Sequence, residues 1–222
     1  MRHFDQKLDE LRGCLLEMSG LVEAAIYRSV LSLTQRDENQ VQEVLENESR
    51  INQMQLDIDE KATRLLALEQ PVARDLRFIT AAIRINSDLE RMGDEAVNIV
   101  ERSLVLMQGL PVTAPIDTPY MGHVVESMVR KALDSFVKKD ADMARLVLVA
   151  DDEVDELYDS ISEELVRFMQ ENPVSVPQGV GLIFVAHNLE RIADHATNIA
   201  EDVIYLVEGV DVRHHSEAHS ES

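Results

Sequence analysis

Apolar residues recur along most of the chain with the spacing of one helical face. Leu8, Leu11 and Leu15 share a face, and the apolar positions between Val41 and Ile51 share another. Only 4% of residues are aromatic and Trp is absent. Leu, Ala, Val, Glu, Arg and Met are plentiful, and this balance favours helices over a sheet.

Breaks in the pattern divide the chain into six predicted helices. The strongest breaks are Gln70-Pro71, the segment 109–119 with three prolines, and the segment 172–179 with two. Asp37 follows Gln35-Arg36, and Asp140 follows Lys138-Lys139. We interpret both as N-caps that open a helix after a tight turn. The predicted helices are 3–36, 38–69, 73–107, 119–138, 141–171 and 178–208.

The two halves of the chain repeat one another. With a spacing of 103 residues, Asp37 matches Asp140 and Ile51 matches Val154. After the proline loop the spacing becomes 100, and Glu90-Arg91 matches Glu190-Arg191. Self-similarity of this kind decides the architecture. We predict an all-α fold of two tandem, pseudo-symmetric antiparallel three-helix bundles, with repeats at 1–109 and 119–211, a linker at 110–118 and a disordered tail at 212–222.

The charge balance narrows the classes of partner. Asp and Glu number 42 against 21 Lys and Arg, which gives a formal net charge of −21. A chain this acidic disfavours nucleic-acid binding and repels an anionic membrane surface, whereas cations and basic protein surfaces suit it. The single cysteine, Cys14, fits a reducing compartment and a small core residue. Without a signal-like start or a long apolar run, we predict a cytoplasmic protein that does not insert into a membrane.

An acidic stripe stands at matching positions of the third helix of each half. Positions i, i+4, i+8 and i+11 fall at roughly 0°, 40°, 80° and 20° around a helix axis. The apolar residues of these helices fall on the other side, so the stripe should lie off the core. Its members are Glu90, Asp94, Asn98 and Glu101, and Glu190, Asp194, Asn198 and Glu201.

Carboxylates one turn apart repel each other, and a bound cation would relieve that repulsion. Oxygen ligands suit Mg, Mn, Ca or ferric iron. The second helix of each half supplies another row with the same spacing: Glu48 and Asn52 in the first half, Asp151 and Asp155 in the second. If the second and third helices pack antiparallel, the rows could face each other across a groove.

An ion-pair network exposed to solvent would use the same residues, and it remains an alternative to the cation site. Arg91 and Arg191 each precede an Asp of the stripe by three positions. His195 fits a surface helix histidine. His187 and Glu190 reverse the Glu-x-x-His order of di-iron bundles, which argues against oxygen-activating chemistry.

Four segments of the chain form a specific set of motifs in a fixed order. They are Gln70-Pro-Val-Ala-Arg-Asp-Leu-Arg77, Asp88-Leu-Glu-Arg-Met-Gly-Asp94-Glu-Ala-Val-Asn98, Asn188-Leu-Glu-Arg-Ile-Ala-Asp194-His-Ala-Thr-Asn198-Ile-Ala-Glu201 and Ile204-Tyr-Leu-Val-Glu-Gly209. Together they resemble the PhoU family of phosphate-transport regulators. The resemblance spans about residues 3 to 214. The second half lacks a match to Arg-Asp-Leu-Arg after Pro173, so any partner of that loop should bind the first half only.

The resemblance implies a cytoplasmic, non-enzymatic regulator that restrains a phosphate ABC transporter and the phosphate-starvation response when phosphate is plentiful. The implied partners are the transporter's ATPase subunit, the phosphate sensor histidine kinase and a second copy of the chain, with recruitment to the inner face of the membrane through these partners. The resemblance also implies metal clusters, with Glu90, Asp94, Glu190 and Asp194 as ligands and Asn98 and Asn198 one turn later. The second-helix acids beside them are Glu48 in the first half and Asp151, Asp152 or Asp155 in the second. We expect the metal to be Mg, Mn, Fe or Zn.

Two rival functions follow from the same residues. A metal-dependent hydrolase would use the carboxylate clusters to activate water. A purely structural dimer would hold no metal, and its melting temperature would not respond to chelation.

Overall fold

The computed structural model describes residues 2–109, 114 and 116–212. Six long helices and one short 3-10 turn, Pro173–Ser175, account for nearly all of this part of the chain. The helices are α1 (Arg2–Gln35), α2 (Glu38–Glu69), α3 (Ala73–Met107), α4 (Thr118–Lys138), α5 (Ala141–Glu171) and α6 (Val176–Glu208). The predicted all-α fold with six helices is confirmed.

Each half is a three-helix bundle, and the two bundles share one core. Helices α1, α2 and α3 pack against one another, as do α4, α5 and α6. The halves meet through α3 against α6 and α1 against α4. Apolar side chains from all six helices form a single buried cluster that includes Leu11, Leu15, Met92 and Ile192. The interface between the repeats is therefore part of the hydrophobic core.

The turns inside the two hairpins are equivalent and close in the predicted way. Arg36 and Lys139 both adopt left-handed backbone angles, with φ of 51° and 55°. Asp37 then accepts a hydrogen bond from the backbone N–H of Asn39, and Asp140 accepts one from the backbone N–H of Met143. Both predicted N-caps are confirmed, and each satisfies an otherwise free first-turn donor.

The starts of α4 and α6 differ slightly from the sequence prediction. Helix α4 begins at Thr118, where Asp117 caps the backbone N–H of Tyr120. Helix α6 begins at Val176, two residues earlier than predicted, and runs through Pro177. A proline in the first turn lacks an N–H that would have no helical partner anyway, so it does not delay the helix.

Close helix approaches join the two halves at small residues. A Cβ atom at Gly122 of α4 would stand 2.9 and 3.0 Å from the two methyl groups of Val30 of α1. A Cβ atom at Gly181 of α6 would stand 2.9 Å from Leu106 of α3. The glycines let the backbones approach more closely than alanine would allow.

Several predictions concern residues at the edge of the described chain. The repeat limits 1–109 and 119–211 stay a prediction, and most of the predicted linker 110–118 and all of the predicted tail beyond Val212 lie outside the described residues. Cys14 is half-buried and packs against the core, as expected for a small core residue.

Candidate metal-binding surface and the interface between the halves

The acidic stripe lies off the core, as the helical spacing predicts. Asp94 and Asp194 are exposed, and Glu90 and Glu190 are half-buried. On the opposite side of α3, Leu89, Met92 and Ala96 are fully buried. A cation on this stripe would contact the bundle at its surface.

In the second half, the acids of α5 and α6 lie close enough for their charges to influence one another. Burial and the charges of Asp155, Asp194, Asp152 and Glu190 raise the pKa of Asp151 from 3.8 to about 6. Burial and the charge of Asp155 likewise raise the pKa of Asp194. Burial and Asp194 raise the pKa of Glu190. These shifts show mutual repulsion among Asp151, Asp155, Glu190 and Asp194.

In the first half, the repulsion stays within the third helix. Burial and Asp94 raise the pKa of Glu90, and burial and Glu95 raise the pKa of Asp94. The acids that raise these two pKa values, Asp94 and Glu95, both belong to α3. Glu48, the predicted α2 member, is half-buried on a helix that packs against α3. The two halves therefore differ in how tightly their acids are grouped.

The donor chemistry of the second half suits a hard cation. A divalent ion would neutralise four carboxylates whose charges repel one another, and this would stabilise their ionised forms. Carboxylate oxygen is also a preferred ligand of such ions. Among the described residues, no three His, Cys, Asp or Glu side chains stand in an arrangement that would already hold a metal ion. The residues thus match a cation in chemistry, and their side chains would have to converge to hold one.

Both stripe asparagines direct their amide nitrogens to buried carboxylates. Asn98 Nδ2 donates to Glu95 Oε2 over 3.1 Å. Asn198 Nδ2 donates to Asp88 Oδ1 over 3.3 Å, across the contact between α6 and α3. An amide whose nitrogen is fixed in this way keeps its oxygen as the group available to a cation.

The interface between α3 and α6 contains an ion pair and a histidine–carboxylate pair, each formed between the two repeats. Arg191 Nη1 lies 2.8 Å from Glu95 Oε1, and Glu95 is only 3% exposed. His195 Nδ1 lies 2.9 Å from Asp88 Oδ1, and both residues are buried. The prediction of a surface histidine at 195 is wrong, because α6 presents this side of its stripe to the other repeat.

A third cross-repeat pair completes the interface at its edge. Arg84 Nη1 of α3 lies 2.7 Å from Asp202 Oδ1 of α6, and the Arg84 guanidinium also stands 5.7 Å from the centre of the Tyr205 ring. Sequence reasoning missed these residues because it treated each bundle separately. The available signal was divergence between the repeats, since Glu95 matches His195 and Asp88 matches Asn188.

His187 does contact the stripe. Its Nδ1 lies 3.1 Å from Glu190 Oε2, on the same helix. The charge of His187 lowers the pKa of Glu190, opposing the effect of burial. The histidine is a local partner of one stripe carboxylate, and its equivalent in α3 is Ser87.

None of the helices in the described part of the chain is both long enough and apolar enough to cross a bilayer. This agrees with the absence of a long apolar run in the sequence.

Comparison with known proteins identifies the family. The PhoU domain model matches residues 15–103 and 119–203, one match in each half. A Pseudomonas putida protein named phosphate-specific transport system accessory protein PhoU homolog is 42% identical over 214 residues, which cover 96% of this chain and 84% of that protein.

Two crystal structures have the same fold. PhoU from Pseudomonas aeruginosa aligns with a TM-score of 0.91 at 41% identity, covering 93% of this chain and 100% of that one. The phosphate transport system regulatory protein PhoU from Streptococcus pneumoniae aligns with a TM-score of 0.86 at 32% identity, covering 94% of this chain and 99% of that one. The duplicated three-helix bundle, its paired acidic stripes and these matches together show that the chain belongs to the PhoU family.

Proposed function

We propose that this chain regulates phosphate uptake and phosphate signalling through protein contact and without catalysis. The observation that carries the proposal is similarity along nearly the whole chain to proteins named as accessory or regulatory components of phosphate transport systems. The proposed partners are the ATPase subunit of a phosphate ABC transporter and the phosphate sensor histidine kinase. In this proposal the protein is cytoplasmic and reaches the membrane only through them.

Charge supports contact with basic surfaces of such partners. The net charge of −21 favours rapid association with a positively charged face. The exposed carboxylates of the two stripes lie on the outer surfaces of α3 and α6, where a partner could reach them. A partner or an ion at this surface would compete for the same oxygens.

We further propose that a divalent or ferric ion binds the stripe and modulates this surface. In the second half, Asp151, Asp155, Glu190 and Asp194 would supply carboxylate oxygens. In the first half, Glu90, Asp94 and Glu48 would do so, and Asn98 and Asn198 would offer their amide oxygens. The mutual repulsion of the second-half acids supports tighter binding there.

A second copy of the chain is proposed as a further partner. Leu146 and Val149 of α5 are 60% and 70% exposed, and they lie close together on one helix. Exposed apolar side chains of this kind favour a protein contact. Sedimentation of the protein with Leu146→Gln and Val149→Gln tests this, and unchanged association would refute the use of this surface.

Affinity capture of the tagged full chain from cells grown in high and in low phosphate tests the main proposal. We expect the transporter ATPase and the histidine kinase to be recovered with the protein, in amounts that depend on phosphate. Recovery of neither partner would overturn the proposal, as would phosphate-ester hydrolysis that is lost with Asp194→Ala. Elemental analysis tests the metal assignment, since metal content unchanged by combining Asp94→Ala with Asp194→Ala would refute it.

A further inference from the structure

A cavity at the start of α3 collects cationic side chains in a strongly acidic protein. The cavity measures about 450 Å³ and lies between α1, the first turn of α3, the α4–α5 turn and the end of α6. Its lining includes Arg12, Arg74, Arg77 and Lys139, against a single acid, Asp75. The chain as a whole has twice as many acidic as basic residues, so this cavity reverses the overall balance.

The cations stand close enough to repel one another. Burial together with the charges of Arg12 and Arg74 lowers the pKa of Lys139, and Asp9 opposes this effect. Arg12 is held by Asp9 at 2.9 Å and by the ring of Phe78, whose centre is 5.0 Å from the guanidinium carbon. The Nε of Arg77 is buried and has no hydrogen-bond partner. An anion in the cavity would relieve this repulsion.

The backbone of α3 adds to the positive potential. Arg74, Asp75 and Arg77 belong to the first turns of a 35-residue helix. Its N-cap residue, Val72, offers no side-chain acceptor to the first backbone N–H groups. Free N–H groups and the helix dipole favour an anion at this end of a helix.

The other half of the molecule contains the equivalent cavity without this chemistry. That cavity, about 290 Å³, is lined by Leu106, Met107 and Arg36, which match Leu206, Val207 and Lys139. Arg36 is the single charged residue among the described lining residues, and its Nη2 donates to the carbonyl of Met107 over 2.6 Å. The positions that match Arg74 and Arg77 are Val174 and Pro177. The fold alone therefore does not require the cations.

We propose that the cavity at the start of α3 binds a phosphate-type oxyanion, either inorganic phosphate or the phosphate group of a nucleotide. Arginine guanidinium groups bind phosphate oxygens through two parallel hydrogen bonds. A cavity with four cationic side chains at a helix N-terminus therefore suits a phosphate group. If the protein regulates phosphate uptake as proposed above, the occupancy of this cavity depends on the phosphate concentration and so makes the protein a phosphate sensor. That regulatory role rests on the proposed function, whereas the binding itself does not.

Titration calorimetry of the full chain tests the binding. The protein is first treated with EDTA, so that no metal ion on the acidic stripe can bridge to phosphate. Inorganic phosphate and ATP are titrated separately at low salt. We expect one of them to bind, with an affinity that falls as NaCl is raised. The tighter ligand shows whether the source is free phosphate or a nucleotide.

Variants locate the binding. Combining Arg74→Gln with Arg77→Gln should weaken binding about 100-fold, at about tenfold for each lost charge-assisted contact. Lys139→Asn should weaken it without changing α3, since Asn tolerates the left-handed backbone there, and Asp75→Asn should strengthen it. Arg102→Gln is the matched control, because Arg102 lies on the same helix, 4.8 Å from the Phe184 ring, outside the cavity.

Binding of neither ligand would overturn the inference, as would equal weakening by Arg102→Gln or no weakening in the Arg74 and Arg77 variant. The affinity capture described above separates the two proposals. If the partners are recovered but phosphate and ATP do not bind, the anion site fails alone. If an anion binds but neither partner is recovered, the regulatory function fails alone.

Discussion

The buried carboxylate of Glu95 depends on a charge supplied by the other repeat. Arg191 Nη1 lies 2.8 Å from its Oε1, and Asn98 donates to its Oε2 over 3.1 Å. Replacing Arg191 with Met keeps the aliphatic stem and removes the charge. Glu95 would then remain buried with a single neutral donor, and this should destabilise the fold.

The magnitude follows from how far water reaches each partner. Breaking a fully buried ion pair costs about 3–5 kcal/mol, and an unsatisfied buried polar group costs about 1–3 kcal/mol. The side chain of Glu95 is 4% exposed but that of Arg191 is 46% exposed, so we expect the lower range. Arg191→Met should therefore lower the free energy of unfolding by about 2 kcal/mol, or the melting temperature by about 4–8 °C in a chain of this size.

Urea denaturation at pH 7 measures this effect, and the other repeat provides the control. Arg91 occupies the equivalent position in α3 and is exposed, and the residue equivalent to Glu95 in α6 is His195. Arg91→Met should change stability by less than about 0.5 kcal/mol. Adding Glu95→Gln to Arg191→Met should restore at least half of the loss. Equal losses in both arginine variants, or no restoration, would refute the reasoning.

Three further predictions test the helix contacts, the grouping of acids on α5 and α6, and the capping. Gly122→Ala should destabilise the protein by about 1–2 kcal/mol in thermal unfolding, because the added methyl meets both branches of Val30 and the clash outweighs the gain in helix propensity. In protein freed of metal by EDTA, the free energy of unfolding should fall as pH rises from about 4 to 6, because the native Asp151 carboxyl has its pKa raised to about 6 and binds protons more tightly than the unfolded chain does. Asp151→Asn should flatten this slope and raise stability at pH 7 by about 1 kcal/mol, an estimate reduced for partial solvent exposure. Asp140→Ala should cost about 1 kcal/mol in chemical denaturation through loss of its bond to the Met143 N–H, and Asp140→Asn much less.

Each of these has a matched control. Gly20→Ala places its methyl where, apart from its chain neighbours and the nearby backbone of α1, nothing lies within 4 Å, so it should stabilise α1 by up to about 1 kcal/mol. Destabilisation by Gly20→Ala comparable to that of Gly122→Ala would contradict the close-approach argument. Glu48→Gln occupies the position equivalent to Asp151, and an equal change in the pH slope there would show that the α5–α6 grouping is not the cause. For the cap, equal losses with Ala and Asn would exclude the hydrogen bond.

Local features of the sequence were sufficient to predict the helices and the position of the acidic stripe. Caps such as Asp37 and Asp140 act within three residues, and helical periodicity separates Asp94 from Met92 without knowledge of any partner. The grouping of Asp151 with Glu190 and Asp194 also followed, because adjacent antiparallel helices with matched spacing bring such rows together. These inferences needed only one helix or one hairpin.

The contact between α3 and α6 could not be predicted from one helix or one hairpin. Whether Glu95 and His195 are exposed to water or buried in an interface depends on how the two bundles dock. Polar side chains of this kind occur in both environments, so their residue types do not decide. The burial of Glu95 depends on a partner of opposite charge about 100 residues away in the sequence, namely Arg191. The cationic cavity at the start of α3 was missed for the same reason, since α1, α3, α6 and the α4–α5 turn all contribute to it.

The differences between the repeats follow from the way they meet. The pseudo-twofold relation maps the buried pair Asp88 and His195 onto Asn188 and Glu95. If both halves carried the residues of the first, Asp would face Glu twice in the interface, and like charges placed together at an interface cost several kcal/mol. Replacing one Asp by Asn188 and one Glu by His195 removes both conflicts. The two halves also differ away from this contact, since the closely grouped acids Asp151, Glu190 and Asp194 lie in the second half and the cationic cavity lies at the start of α3 in the first.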